Sequence, residues 1–255
     1  MQLDLGRKVV LALFSLLLVL PMAAVAIGGN TYNESFNRAK TDLEHKVYSR
    51  IPKNTIYCDA VFEGKKIVDP NGFSSTRYEN RAHKLEWEHI VPAENFGRTF
   101  PEWRDGHELC TKANGESFRG RNCASKANKT FRYMLADMYN LAPSIGAVNA
   151  MRSNYNFAQG LSSGQSLGQC SMKIDTSRRK AEPPPKAKGF VARAYLYMDK
   201  TYSSYRTSQR KLFKSWDKQY PVTETECKRA KKIELIQHNT NRFVKTPCIR
   251  AGMWL

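Results

Sequence analysis

Six cysteines, Cys58, Cys110, Cys123, Cys170, Cys227 and Cys248, constrain this chain more than any other feature, because pairs of them can tie together segments far apart in sequence. They do so only if the chain leaves the reducing cytoplasm. Residues 1–26 read as an export signal: Arg7 and Lys8 supply a positive start, Val9 to Leu20 an apolar run, and Ala24, Val25 and Ala26 the small residues a signal peptidase accepts. A membrane anchor is the weaker reading, since the run is short against the roughly 20 residues that a span needs and no positive flank follows it. Residues 27–255 then form one domain of ample size.

Order along the chain pairs Cys110 with Cys123 and Cys227 with Cys248, leaving Cys58 for Cys170, although many other pairings are open on sequence alone. Zinc is a competing use, because His107 and Cys110 have His-x-x-Cys spacing. No Cys-x-x-Cys pair accompanies them. The formal charge is +18, and losing the two basic residues and one acidic residue of the signal leaves +17. A charge of that size favours polyanions, by steering encounter and by releasing counterions, so nucleic acid, anionic lipid and acidic polysaccharide are the partners that fit.

Thr55 to Phe62 alternates and is rich in β-formers, and Gly64 with Lys65 allows a turn into Lys66 to Val68, which predicts two short antiparallel strands. Leu85 to Val91 alternates again, with Leu85, Trp87, His89 and Val91 on one face, and Pro92 should end the strand. Phe96 to Cys123 lacks a period and reads as a long surface excursion. Ser125 to Tyr139 reads as a helix with Phe131, Met134, Leu135 and Met138 along one stripe. Pro143 interrupts it, and Ser144 can cap a short helix carrying Val148, Asn149 and Arg152. Beyond Ala181 to Pro185, Val191, Tyr195, Met198 and Tyr202 recur at helical spacing. A further helix near Arg210 to Lys218 carries Leu212, Phe213 and Trp216, and Thr223 with Glu226 forms a capping box for a last basic helix. The class expected is α+β, a mixed α/β domain with a helix-rich C-terminal part.

Chemistry concentrates in Leu85 to Ala93, which holds Glu86, Trp87, Glu88 and His89. In a regular strand Glu88 and His89 point to opposite faces, so both serve one site only if the chain twists or bends near Pro92. A second cluster, Asp137 to Asn140 and Gly146 to Asn156, is dense in asparagine beside helix ends. Helix interiors disfavour asparagine, so that density points to capping, to coordination, or to both. Neutral imidazole, with an ordinary pKa near roughly 6.5, can take a proton from water at physiological pH.

The strings WEHIVPAENFGR, RNCA from Arg121, DMYNLAPSIGAVNAMRSNYNF and AEPPPKAKGFVARAYLYM together resemble the bacterial endonuclease I family of periplasmic or secreted nucleases, over about Tyr32 to Cys248. The resemblance implies a fold built around a ββα-metal motif and Mg²⁺ as cofactor. It also implies non-specific cutting of double- and single-stranded DNA, and of RNA, to products with 5′-phosphates. Carried over by position, the general base falls on His89, the metal ligands on Glu88 and Asn149, and a supporting arginine on Arg121. Arg119 competes for that last role, and Asn140 stands as a further supporting candidate. An exported monomer, periplasmic or secreted and free of the membrane once the signal is removed, is the expected form. One position departs from the family: Leu135 stands where its members carry glutamate, so any help from that acid is absent or comes from elsewhere. That departure favours the rival expectation, a non-catalytic exported DNA-binding protein. A polysaccharide enzyme would need carboxylates facing one another; Glu86 and Glu88 share a strand face but have no cleft signature.

Overall fold

The computed structural model of the protein describes residues 28–254, so the expected export signal lies outside the described residues. Ser35 opens α1 (Phe36–Asp42) by accepting the Arg38 N–H on its hydroxyl at 3.3 Å. After Asp42 the helix widens into a π turn over Leu43–Val47. The first hairpin, β1 (Val61–Glu63) and β2 (Lys66–Asp69), is shorter than its alternation predicts. Thr55 to Ala60 is turn instead, because the Thr55 hydroxyl accepts the Ala60 N–H at 3.0 Å and Asp59 takes a left-handed φ of 61°. A short α2 (Glu79–Ala82) then leads into β3 (Leu85–His89).

The excursion after β3 begins with two short helices, α3 (Ala93–Gly97) and α4 (Pro101–Arg104), before the loop closed by Cys110 and Cys123. The single helix expected from Ser125 to Tyr139 is two, α5 (Arg121–Ala127) and α6 (Lys129–Leu135). Asn128 ends the first and caps the second, its side-chain oxygen accepting the Phe131 N–H at 2.9 Å. Leu141 to Ile145 is not a helix interruption but a strand, β4 (Leu141–Ile145), and Ile145 rather than Ser144 occupies the N-cap of α7 (Gly146–Arg152). Pro143 fits there because β4 pairs on one side only, with β3, in a two-stranded antiparallel sheet.

A three-stranded sheet follows from β5 (Asn156–Phe157), β6 (Lys173–Asp175) and β7 (Lys180–Glu182), in the order β5-β7-β6. Four helices then fill the C-terminal part: α8 (Pro185–Thr201), α9 (Arg210–Gln219), α10 (Glu224–Gln237) and α11 (Arg242–Arg250). Thr223 caps α10 by accepting the Glu226 N–H at 3.2 Å, while the Glu226 carboxylate turns to Arg193 of α8. The apolar stripes are core: Phe131, Met134, Val191, Tyr195, Met198, Phe213 and Trp216 are buried in one cluster that joins the N- and C-terminal parts into a single domain. All three expected disulfides form, Cys58–Cys170, Cys110–Cys123 and Cys227–Cys248, which removes the zinc reading of Cys110. The result is a mixed α+β domain with small sheets and a helix-rich C-terminal part.

Candidate active site

β3 and β4 pair in regular antiparallel register, Glu86 opposite Ser144, Glu88 opposite Ala142 and His89 opposite Leu141. Because α7 starts directly after β4, the two strands and the helix form one unit. That unit faces α1 across a cleft of about 810 Å³, lined among others by Lys40, Glu88, His89, Arg121 and Asn149. The sequence therefore brings its four main site candidates, Glu88, His89, Arg121 and Asn149, to one place.

The register is regular through His89, and the chain bends one residue later, at Ile90 and Val91. Two buried side chains hold that bend. Arg152 of α7 donates to the carbonyl of His89 at 2.8 Å and to that of Ile90 at 2.6 Å. Asn140 binds Val91 twice, accepting its N–H at 2.8 Å and donating to its carbonyl at 3.0 Å. Asn140 is fully buried and works on the backbone behind the site, outside the cleft lining.

His89 is itself buried, its ring 4.9 Å from that of Phe36. Its Nε2 lies 2.9 Å from the carbonyl oxygen of Leu135. A carbonyl only accepts, so Nε2 carries the proton and Nδ1 keeps the lone pair. Burial, followed by the positive charges of Arg121, Arg152 and Lys40, pulls the imidazole down to about 3, so the ring is neutral at ordinary pH. The Leu135 carbonyl orients the ring, whatever side chain stands at that position.

Glu88 is sealed on one side: its Oε1 accepts from Arg152 at 2.7 Å and from the Tyr57 hydroxyl at 3.3 Å. Burial pushes this carboxyl up to about 7, against the opposing pull of Arg152 and Tyr57. Asn149 of α7 donates its amide N–H to Glu86 at 2.8 Å, and Glu86 is gripped by Arg81 at 2.7 and 2.5 Å. That chain fixes the amide so that Oδ1 is the atom left over. Among the described residues, Asn149 Oδ1 and Glu88 Oε2 accept no protein hydrogen bond, and both residues line the cleft. A carboxylate and an amide carbonyl are hard oxygen donors of the kind that Mg²⁺ takes. No group of three or more His, Cys, Asp or Glu suited to a metal occurs among the described residues. A cation held by this pair would therefore keep several waters and gain oxygens from substrate.

Arg121 opens α5 with its guanidinium 5.5 Å from the centroid of the Phe36 ring. Arg119, the competing candidate, has an exposed side chain that reaches the Arg104 carbonyl at 3.5 Å and lies outside the cleft lining. Sequence reasoning gave no role to Arg81, Glu86, Arg152, Tyr57, Phe36 or Lys40. Two signals pointed to the first set: Glu86 stands two residues before Glu88 in an alternating strand, and Arg152 one helical turn after Asn149. For Phe36 and Lys40 there was none, because α1 meets β3 only through the fold.

A family model described as Endonuclease I matches residues 29–248. An extracellular deoxyribonuclease of Aeromonas hydrophila is 37% identical over 243 residues, covering 92% of this chain and 98% of that protein. A periplasmic deoxyribonuclease of the same organism is 37% identical over 222 residues, 84% of this chain and 87% of its own. Endonuclease-1 of Buchnera aphidicola subsp. Acyrthosiphon pisum is 36% identical over 225 residues, 85% of this chain and 83% of its own. No helix among the described residues is long and apolar enough to cross a membrane. The three disulfides and the extracellular and periplasmic relatives fit an exported protein. With the family model spanning nearly all the described residues and these relatives alike from end to end, the chain belongs to the endonuclease I family.

Proposed function

We propose that the chain is a metal-dependent endonuclease that hydrolyses phosphodiester bonds of DNA, and of RNA, with little regard to sequence, leaving 5′-phosphates. The observation that carries this reading is the neutral His89, tied back through Nε2 to Leu135 with Nδ1 free, in the same cleft as the two unpartnered oxygens of Glu88 and Asn149. His89 Nδ1 accepts a proton from water as the water oxygen attacks phosphorus. Arg121 braces a non-bridging phosphate oxygen through its guanidinium. Glu88 and Asn149 would hold Mg²⁺, which when bound relieves charge on the phosphate and on the departing 3′-oxygen.

An imidazole held down to about 3 by burial first, and then by Arg121, Arg152 and Lys40, is a weak base, but all three cations line the cleft where a phosphate enters. The incoming anion offsets those charges, though not the burial, and so raises the basicity of His89. The net charge supports a substrate recognised through phosphates rather than bases. Leu135 supports the rival, a non-catalytic binding protein, only through its side chain, whereas its carbonyl still meets His89 Nε2 at 2.9 Å, which supports the catalytic reading.

The test is plasmid cutting with Mg²⁺ against an EDTA control. His89→Ala should lower the rate by a factor on the order of 10² or more, the scale of a lost acid–base group. A variant that cuts at the wild-type rate would sink the assignment.

A further inference from the structure

We infer that Lys40 is a second phosphate-binding cation of this cleft, paired with Arg121 around the Phe36 ring and directed at the strand being cut. The inference rests on the nuclease reading and extends it to a residue on a different element, α1.

Five cations line the cleft, and their partners separate them. Arg81 is held by Glu86, and Arg152 by Glu88. Lys65 sits exposed in the turn between β1 and β2. Lys40 and Arg121 are different: among the described residues neither makes an ion pair or a side-chain hydrogen bond, and each meets the Phe36 ring, Lys40 Nζ at 4.7 Å and Arg121 Cζ at 5.5 Å from its centroid.

Lys40 has a carboxylate at the right spacing and does not use it. Glu44 is four residues on and also lines the cleft, the arrangement that ordinarily pairs on a helix. The π turn over Leu43–Val47 takes Glu44 out of that arrangement, and its Oε1 lies 3.9 Å from His45 Nε2 instead. Lys40 folds back over Phe36, one turn earlier, whose ring is 4.9 Å from that of His89. Lys40 is therefore half-buried, its ammonium lies over the ring that meets the base, and among the described residues it has no ion-pair partner. Two cations sharing one aromatic ring repel each other until an anion joins them. In a nuclease cleft the anion of matching chemistry is a backbone phosphate.

The experiment measures binding of a short fluorescent DNA duplex by anisotropy across a salt series in EDTA, where binding proceeds without cutting. Kinetics with Mg²⁺ are run beside it. Lys40→Gln should weaken binding by roughly tenfold and reduce the slope of log affinity against log salt by about 0.9, the release expected for one lost phosphate contact. Lys40→Arg should restore both, and neither variant should shift the melting temperature by more than a degree or two. An unchanged salt slope in Lys40→Gln, or a failure of Lys40→Arg to restore it, overturns the inference. The two readings fail separately. If His89→Ala is inactive while Lys40→Gln keeps the wild-type slope, only this inference falls. If the wild-type chain does not cut with Mg²⁺, the nuclease reading falls, and the slope still decides whether Lys40 meets a phosphate.

Discussion

His89 takes its orientation from a backbone carbonyl, and that changes which substitutions should matter around it. Leu135→Met keeps the carbonyl and the buried volume, so plasmid cutting should stay within about twofold of wild type, the tolerance expected of a volume-conserving swap. A loss comparable to His89→Ala would show that the side chain acts after all. Burial of a neutral imidazole also leaves a pH signature. The folded pKa is about 3, whereas the unfolded chain has the ordinary value near roughly 6.5, so between those limits the unfolded state binds the proton first. Stability therefore falls as pH drops through that window, and the loss is complete below the folded value. In metal-free protein, the melting temperature of wild type should drop relative to His89→Gln on going from pH 7 to pH 4; parallel curves would contradict the buried neutral ring. Glu86 makes the complementary case. It touches Asn149 and Arg81, so Glu86→Ala should raise the Mg²⁺ concentration for half-maximal cutting by roughly 10- to 100-fold while leaving the saturated rate closer to wild type. The cleft-lining residues proposed to act there, Glu88, His89, Arg121 and Asn149, were readable as motif residues. Those that act through them carried weaker signals or none, since Tyr57 lies 31 positions from Glu88 and Arg152 lies 64.

The longer helices α8 and α9 announced themselves through apolar period, and the strand that completes the site did not. β4 is buried at every position, Leu141 to Ile145, so it has neither alternation nor a polar face, and Pro143 within it reads as a breaker. Its identity comes from β3, a partner more than fifty residues earlier. The bend after β3 was expected near the right place and for only part of the reason. Pro92 follows it, but Arg152 and Asn140 hold it. Asn140 extends the β3–β4 pairing past His89 by offering Val91 a donor and an acceptor in the place of a strand neighbour. Asn140→Ala leaves a buried N–H and a buried carbonyl without partners and should cost on the order of 2–4 kcal/mol in urea unfolding. Turnover should fall with little change in KM, because the loosened segment carries the base rather than the residues proposed to meet phosphate. A variant with full stability and full turnover would mean that water replaces both bonds and that the bend holds itself.

Across the whole molecule, the cysteines form one long bridge and two short ones, and the effects of the longest and the shortest can be predicted for stability and for activity separately. Cys58–Cys170 spans 112 positions and encloses β1 to β5 and α7, so it limits the unfolded chain most and should contribute about 4–5 kcal/mol by loop entropy. Cys110–Cys123 spans only 13 and should contribute about 3 kcal/mol. The shorter bridge, however, ends two residues from Arg121 and closes the loop whose end leads into that arginine. Its pairing was readable because the two cysteines are close in sequence; its relation to the cleft was not, because that depends on Arg121 of α5 meeting Phe36 of α1. Replacing Cys58 and Cys170 with alanine should therefore lower the urea midpoint most. Replacing Cys110 and Cys123 should lower kcat/KM most, measured at a temperature where both variants are folded. The two rankings run in opposite directions, so one set of variants tests both. If the longer bridge led in both measurements, loop closure around Arg121 would carry no weight of its own, and the phosphate cradle would have to be held by the Phe36 contact alone.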